Sequence, residues 1–367
     1  MAKHSETLKE WATMGEVVVG MDLSDRTARW CAVDGGTGEI REGAVTLTKV
    51  ELSAWLDGVE GWTVVVEAGT PSGWIARHLS ELGHKVVIVR ADALAGGKRR
   101  RKKNDKEDAY ALCRLGQHPD ERLVRSIWQR PAEYQADLST VRARDGLVRA
   151  RTLLVNQVRG TVKSFGERLE AKHSAESLPR YAEQELSAAV YAHVQPLLEA
   201  IEALNRGLAE YNERLHTNLA RRPESARLLQ VHGVGDVTAS VYMGVVGDPK
   251  RFGRSRDVAA YLGLAPWQDQ SGEHDPQLGI SKAGDALCRR ILVQCAQYIL
   301  GAHGKDSSLR RWGLALAGDG KNKARKHKAV VAVARKLAVL LHRLWVSGET
   351  YDALRGARGE AEEAKAA

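Results

Sequence analysis

The first 125 residues alternate short apolar runs with stretches of helical spacing, a pattern that predicts a mixed sheet covered by helices. Three β-branched runs come first, and Gly35 and Gly36 supply a hairpin turn before the third, so we expect an antiparallel meander. Further buried strands then alternate with helical segments. The expected strands are 16–21, 28–33, 40–47, 63–66 and 85–89, and the expected helices are 50–58 and 73–82.

Helical periodicity dominates the rest of the chain after one strongly basic interruption. Gly96 and Gly97 precede six consecutive cations, a composition that predicts a loop, and helix resumes over 105–115. Apolar positions then recur every three or four residues over 134–169 and 183–219, and the second stretch resembles a coiled-coil seam. A seam of that length needs a partner helix, from the same chain or from another copy.

These changes of pattern divide the chain into four predicted parts. An α/β domain occupies 1–125, an Arg-rich helical and coiled-coil region 126–222, and a mostly helical domain 223–350, followed by a low-complexity tail at 351–367. The expected fold class is therefore α/β plus all-α, with a mixed sheet in the first domain as in the ribonuclease-H-like architecture, which periodicity alone does not separate from other α/β folds.

Composition narrows the class of partner and the compartment. The 367 residues carry 55 Lys and Arg against 46 Asp and Glu, and the net charge of +9 favours a polyanion, either nucleic acid or an anionic membrane surface. The four cysteines lack metal-binding or disulfide spacing and are expected to be buried thiols. No stretch approaches the ~18 apolar residues of a membrane span, and the first residues lack a secretion signal, so we expect a cytoplasmic protein with no membrane partner.

Four carboxylates follow two of the predicted strands and open the helix after the basic loop. Asp22 and Glu67 each come where a hydrophobic strand stops, and Asp105 and Asp108 lie three residues apart on one helix face. Acids delivered in this way can converge on Mg²⁺, which prefers a few carboxylates together with water and phosphate oxygens. Paired ions would stabilise the attacking and leaving oxygens of a phosphoryl displacement. Taken singly, each acid has an ordinary alternative as a turn residue or helix cap.

Basic side chains and a glycine turn supply candidate nucleic-acid contacts. The basic loop lies just before Asp105. This position favours an arm that contacts phosphates and becomes ordered when nucleic acid binds, although a run of charges can also be a solvated surface. The segment LLQVHGVGDV resembles a helix-hairpin-helix, and an ordinary tight turn fits it equally well. The candidates are Lys98, Arg99, Arg100, Arg101, Lys102 and Lys103 in the loop, Arg142, Arg149 and Arg151 on the next helix, Gly233 and Gly235 in the turn, and Lys282, Lys323 and Arg325 nearer the carboxyl end.

One serine in the last third of the chain is a candidate nucleophile. Ser271 precedes a glycine in a polar loop, which leaves its hydroxyl accessible to activation by a base or a metal. A Ser-Gly step in a loop is most often an ordinary turn, so the local chemistry alone does not assign the role. The sequence has no zinc-type cluster, P-loop or dinucleotide fingerprint, and it gives no support for nucleotide hydrolysis or redox chemistry.

Taken in order, these motifs resemble the DEDD transposases of bridge-RNA-guided insertion sequences, a family that includes the pilin-gene invertase. The first part of the match consists of the strand before Asp22, VVVEAG with Glu67, and KNDKEDAYAL with Asp105 and Asp108. The second part consists of LLQVHGVGDVTAS, RDVAAYLGLAP, QSG with Ser271, and GISKAGDALCRRILVQCA. The resemblance covers nearly the whole chain.

The resemblance implies a mobile-element recombinase with a RuvC-like domain, a connecting coiled coil and a transposase domain. In such enzymes the four acids hold Mg²⁺ beside the scissile phosphate, and a serine attacks DNA to form a covalent intermediate. Ser271 matches that serine, and Ser281 is its nearest competitor. A structured noncoding bridge RNA pairs with donor and target DNA. The protomers form a homo-oligomer, a dimer or, in the active complex, a tetramer, in which one protomer's acids meet another's serine.

Two other functions stay open at this point. A RuvC-like structure-specific DNA endonuclease would use the same acids with metal-activated water and would not need Ser271. A non-catalytic RNA-binding or architectural protein would need neither Asp22 nor Glu67. The four acids argue against the second alternative, and the block of motifs in the last third of the chain argues against the first.

Overall fold

The structure, a computed structural model, describes residues 16–90, 105–118, 124, 126–267 and 278–355. Contacts divide the chain into two compact units, Met1–Arg130 and Pro131–Ala367. No helix in the described part of the chain combines the length and the apolarity needed to cross a bilayer.

Six strands of the first unit form one mixed sheet. They are β1 (Val17–Leu23), β2 (Thr27–Asp34), β3 (Ile40–Thr46), β4 (Thr63–Glu67), β5 (Lys85–Val89) and β6 (Ser126–Ile127). The order across the sheet is β3-β2-β1-β4-β5-β6. The first three strands form the expected antiparallel meander, β4 and β5 run parallel to β1, and the two-residue β6 adds an antiparallel edge that the apolar pattern did not predict.

Helices cover both faces of this sheet. Three of them are α1 (Lys49–Trp55), α2 (Ser72–Glu81) and α3 (Asp105–Gly116). Because side chains alternate along a strand, Val19 and Met21 of β1 pack in a core with residues of α1 and α2, whereas Gly20 faces α3. The predicted mixed sheet covered by helices is therefore confirmed.

Two glycines allow α3 to lie directly against the sheet. A Cβ atom on Gly20 would stand well inside 3.0 Å of the Ala109 carbonyl oxygen and the Cys113 amide nitrogen, closer than real Cβ atoms approach. At the other end of the helix, a Cβ on Gly116 would overlap the side chain of Val65. Any larger residue at either position would push α3 away from β1 and β4.

A buried thiol also ties α3 to β1. The Sγ of Cys113 donates a hydrogen bond of 3.0 Å to the backbone oxygen of Val18. Hydrogen bonding with Cys31, together with burial, raises the pKa of the Cys113 thiol far above its usual range, so the thiol stays protonated and can donate. All four cysteines are free and buried, as the sequence predicts.

The second unit consists mainly of helices, which follow the sheet as expected. They are α4 (Ala132–Ser164), α5 (Leu178–Glu185), α6 (Ala188–Ala220), α7 (Ser225–Leu229), α8 (Asp236–Val246), α9 (Ser255–Tyr261), α10 (Ala286–Leu300), α11 (Ser308–Ala317) and α12 (Lys323–Ser347). The long α4 and α6 pack as an antiparallel hairpin. The tip of the hairpin shares a core with α5, and its base joins a larger core around α8, which is buried over most of its length.

Polar contacts fix the register of the hairpin. Their residues on α4 are seven positions apart, which places them on one face of that helix. The three contacts are Asp137–Asn218 at 2.9 Å, Arg144–Asn212 at 2.6 Å and Arg151–Asn205 at 2.7 Å. The partner helix that the apolar seam requires is therefore α4 of the same chain.

The contact at the base of the hairpin gives a testable stability effect. Asp137 also accepts a 2.7 Å hydrogen bond from Nη2 of Arg222, and the two side chains are only 15% and 17% exposed. Asp137→Ala leaves the guanidinium without its carboxylate, so we expect the free energy of unfolding to fall by about 2 kcal/mol. Urea denaturation followed by circular dichroism measures this change. Glu213→Ala removes an exposed acid from the same hairpin and should change stability by less than about 0.5 kcal/mol. Equal losses in both variants would contradict the assigned role of Asp137.

Candidate active site and nucleic-acid surface

Two of the predicted acids lie side by side where neighbouring parallel strands end. Met21 of β1 pairs with Val66 of β4, so Asp22 and Glu67 are the next residues along the two strands. Adjacent strands lie about 4.8 Å apart, and residues at paired positions point to the same face. Because Asp22 is two residues beyond Gly20, that face is the one covered by α3.

The direction of α3 brings its first turn to the same edge of the sheet. Gly116 at the end of the helix packs on Val18 near the start of β1, whereas Ala109 packs on Gly20 further along that strand. The helix therefore runs opposite to β1, and its first turn, residues 105–108, lies near the carboxyl end of that strand. The strands and the helix thus deliver all four predicted acidic positions to one edge.

The chemistry of these acids suits a hard divalent cation. Asp22 is 8% exposed, and Glu67 and Asp108 are half-buried. Carboxylate oxygens are the ligands that Mg²⁺ prefers. Within the described side chains, which do not include that of Asp105, no three His, Cys, Asp or Glu residues stand close enough to hold a metal ion. These carboxylates are of the donor type that Mg²⁺ prefers, and the described side chains alone do not form a metal site.

The segment that carries Ser271 leaves and rejoins the second unit at neighbouring points. Pro266 and Ile280 form an antiparallel bridge, and the amide of Trp267 donates a 2.8 Å hydrogen bond to the carbonyl oxygen of Gly279. Ser271 itself lies outside the described residues, as does the basic loop at 98–103. Since Ser271 follows Trp267 by four residues, covalent geometry keeps its Cα within about 14 Å of the Cα of Trp267.

The competing serine lies in the stem formed by these two backbone segments. The amide of Ser281 donates a 2.9 Å hydrogen bond to the carbonyl oxygen of Ala265. Its hydroxyl is half-buried and accepts a long 3.5 Å hydrogen bond from the amide of Ala283. The backbone of Ser281 therefore helps to hold the stem, and the choice between the two serines stays a prediction.

The predicted arginines on α4 have different environments. Nη2 of Arg142 donates a 2.9 Å hydrogen bond to Asp285, and Arg151 is held by its contact with Asn205, with 19% of its side chain exposed. Arg149 is 73% exposed beside Asp145. Arg149 is consequently the most accessible of the three, and the other two also stabilise the second unit.

The glycine turn between α7 and α8 has a packing requirement of its own. Gly233 has a φ of 90°, and a Cβ there would crowd Ile299 and Tyr298 of α10. Gly235 caps α8 without a side-chain hydrogen bond, and Asp236 occupies the first turn. Packing accounts for Gly233, so a phosphate contact at this turn stays a prediction.

The remaining predicted cations lie near the stem or at the start of α12. Lys282 is exposed and adopts a φ of 55°, the left-handed region that side chains rarely occupy. Lys323 is exposed at the beginning of α12. Nε of Arg325 donates a 2.9 Å hydrogen bond to the carbonyl oxygen of Leu316, which ties α12 to α11.

Beside the stem lies a groove of about 1380 Å³ that the sequence motifs do not indicate. Its long wall is one face of α12, where Lys328, Arg335 and Arg343 follow one another at intervals of seven and eight residues. That spacing was readable in the sequence, because positions seven or eight apart share a helix face. The apolar side chains opposite come from other helices and could not be assigned from spacing.

Comparison with known proteins supports the interpretation of both units. Residues 19–166 match a family model named DEDD_Tnp_IS110 and described as a transposase, and residues 225–310 match the model of the Transposase IS116/IS110/IS902 family. The transposase for insertion sequence element IS1328 of Yersinia enterocolitica is 30% identical over 76% of this chain and 83% of its own length. The putative transposase y4pF/y4sB of Sinorhizobium fredii is 34% identical over 86% of this chain and 80% of its own length. The pilin gene-inverting protein of Moraxella lacunata is 23% identical over 92% and 98%.

The matched ranges coincide with the features described above. Asp22, β4 and α3 lie within the first range, and the stem around Ser271 lies within the second. Two relatives at or above 30% identity are covered over at least 80% of their length, which confirms the resemblance found in the motifs. The chain belongs to the IS110/IS116 family of insertion-sequence transposases.

Proposed function

We propose that this transposase cleaves and rejoins DNA strands with its four acids, Mg²⁺ and Ser271, under the guidance of a noncoding RNA. The observation that carries the proposal is the meeting of Asp22, Glu67 and the first turn of α3 at one edge of the sheet. Family membership supports DNA as the substrate.

The acids would hold the metal and the scissile phosphate together. Asp22, Glu67, Asp105 and Asp108 would hold Mg²⁺ through carboxylate oxygens, and the burial of Asp22 limits competition from water. When bound, Mg²⁺ neutralises charge that develops on the phosphate oxygens during displacement. The chain supplies the orientation, because two of the acids belong to paired strands whose separation is fixed by backbone hydrogen bonds.

Ser271 would act as the nucleophile. Its Oγ forms a bond to the phosphorus while the bond from phosphorus to the leaving deoxyribose oxygen breaks, and the serine proton ends on that oxygen. The products are a phosphoserine link to one DNA end and a free hydroxyl on the other. Attack by a hydroxyl end from a second strand reverses the chemistry and completes exchange, with the energy of the phosphodiester bond retained.

RNA guidance and assembly complete the proposal. The net charge of +9 and the exposed Arg149 suit a structured RNA, whose backbone would be contacted without reading its sequence. A homo-oligomer would let the acids of one protomer meet Ser271 of another, in a dimer or in a tetramer at the active stage.

Reconstituted strand exchange tests this function. Full-length protein, donor and target DNA, and an RNA transcribed from the sequence flanking the gene should give recombinant product only with Mg²⁺, and EDTA should remove it. Exchange without RNA would contradict guidance. Cleavage that never leaves protein attached to DNA would instead favour the RuvC-like endonuclease that uses metal-activated water.

A further inference from the structure

The groove beside the stem combines an apolar floor with a cationic rim. Leu264, Leu309, Val339 and Leu340 contribute to the floor, and none of these side chains is fully exposed. Asp352 is the acid among the described lining residues. The rim contains Arg256, Lys282, Lys328, Arg335, Lys336 and Arg343. A groove with this excess of positive charge suits an anionic ligand that also has apolar surface.

Four of the rim cations have no partner among the described residues, whereas Lys336 lies against Trp312 and the lining residue Arg355 pairs with Glu349. Within the described residues, no ion pair or side-chain hydrogen bond engages Arg256, Lys328, Arg335 or Arg343, and all four are exposed. By contrast, Arg311 on the neighbouring α11 pairs with Asp306 at 2.6 Å. Clustered cations without a counterion repel one another, so binding of a polyanion to this face of α12 is favourable.

The cations on α12 form a line along the groove. Lys328, Arg335 and Arg343 are separated by seven and eight residues, which corresponds to steps of about 11 Å along the helix. Between them, the same face carries apolar positions, among them Ala332 and Val339. An extended ligand lying along α12 would therefore meet charge and apolar surface in alternation.

An aromatic ring stands at the edge of this line. Trp312 is 36% exposed, and Nζ of Lys336 lies 3.7 Å from its ring centroid. Partial burial lowers the pKa of Lys336, as expected for an ammonium held against an indole ring rather than in open water. The ring is thus supported by a cation on one side, as in proteins that stack bases on aromatic platforms.

We propose that this groove binds an unpaired segment of the DNA strand that Ser271 attacks, with its phosphates on the rim of α12 and a base stacked on Trp312. Unpaired bases expose flat apolar faces that match the floor, whereas a duplex hides those faces and presents only its backbone. This inference rests on the proposed function, because it takes the strand at the serine to be DNA.

Continuity with the stem supports DNA as the occupant. Pro266, Leu278 and Ile280, which frame the segment carrying Ser271, also line the groove. Covalent geometry keeps the Cα of Ser271 within about 14 Å of the Cα of Trp267, the residue after Pro266. A strand attacked by Ser271 must come near the stem, whose residues line the groove, and strand exchange requires that the strand be unpaired near the break.

Fluorescence anisotropy with full-length protein tests the proposal. The probes are fluorescein-labelled oligothymidylate of about 20 nucleotides, a duplex of the same length and oligouridylate of the same length. Trp312→Ala should weaken binding of oligothymidylate about tenfold and leave duplex binding within about twofold. The double variant Arg335→Glu, Arg343→Glu should weaken oligothymidylate binding by at least about a hundredfold. Phe165→Ala and Arg206→Glu change an exposed aromatic and an exposed arginine outside the groove and should bind as wild type does.

Other outcomes would overturn this assignment. Unchanged oligothymidylate binding in folded groove variants, or a loss confined to oligouridylate, would exclude an unpaired DNA strand. A change of oligomeric state by light scattering with unchanged binding would identify the groove as a surface between copies. Ser271→Ala separates the two proposals, because it should lose the covalent adduct and still bind oligothymidylate. If Ser271→Ala loses the adduct and the groove variants bind oligothymidylate as wild type does, the groove proposal is wrong and the proposed function stands.

Discussion

Ser271→Ala is expected to abolish strand exchange, with a loss of more than about a thousandfold in rate, and to remove the covalent protein–DNA adduct. The reason is that alanine cannot form the bond to phosphorus, and the acids alone provide no second nucleophile that preserves the phosphodiester energy. Labelled donor DNA, denatured with detergent after the reaction and run on a gel, shows the adduct as protein-linked label.

The matched control is Ser281→Ala. Ser281 lies in the stem, where its backbone carries the hydrogen bond to Ala265, so the substitution should keep the adduct and most of the exchange activity. Adduct formation that survives in Ser271→Ala and disappears in Ser281→Ala would transfer the role of nucleophile to Ser281. Survival in both variants would exclude the serine mechanism.

Asp22→Asn tests the proposed metal site separately from the proposed nucleophile. The amide keeps the shape of the buried side chain and removes its charge, so DNA binding should persist while both adduct and exchange are lost. If Asp22 holds the metal and Ser271 is the nucleophile, a high concentration of Mn²⁺ should restore part of the activity of Asp22→Asn and none of the activity of Ser271→Ala.

The second large effect is expected at Gly20. A Cβ at this position overlaps backbone atoms of Ala109 and Cys113, and backbone cannot turn aside as a flexible side chain can. Gly20→Ala should therefore lower the free energy of unfolding by about 3 kcal/mol and displace α3 from β1. Exchange activity should fall with it, because α3 carries Asp105 and Asp108.

Gly73→Ala is the control for Gly20→Ala in the same unit. A Cβ on Gly73 meets only the end of the flexible Arg77 side chain at 3.7 Å, and the residue lies in the first turn of α2. Alanine there should be neutral or stabilising by up to about 1 kcal/mol. Chemical denaturation of both variants, read by circular dichroism, decides the matter. A Gly20→Ala protein as stable as Gly73→Ala would refute the close packing of α3.

Sequence patterns predicted the sheet well because its strands depend on local order. The runs before Asp22 and Glu67 are apolar and β-branched, and the observed strands end at or one residue beyond these acids. Gly20 within VVVGMD carried a further signal, since glycine inside a strand often marks close approach of another backbone. That approach depends on α3, which lies some 90 residues later in the chain, and spacing alone does not specify it.

The candidate nucleic-acid surface was harder to predict, because a sequence gives the positions of charged side chains and not the groups that they contact in the fold. In the sequence, Arg142 and Arg151 look like free cations on a helix. In the folded unit they donate hydrogen bonds to Asp285 and Asn205 respectively. The reverse holds for Arg335 and Arg343, which lie in a helix with many apolar residues and have no partner among the described side chains. Only the tertiary arrangement distinguishes arginines that stabilise the fold from arginines available to a ligand.

The contacts between α4 and α6 recur every seven residues on α4 and every six or seven on α6, so the hairpin can be lengthened in steps of about two turns. Each helix has 33 residues and is about 50 Å long. Adding seven residues to both helices at facing positions would separate the tip core from the base core by about 10 Å more, with only a small rotation, because seven residues complete nearly two turns. The reach of the hairpin can therefore change in evolution by modular insertion, with neither end repacked.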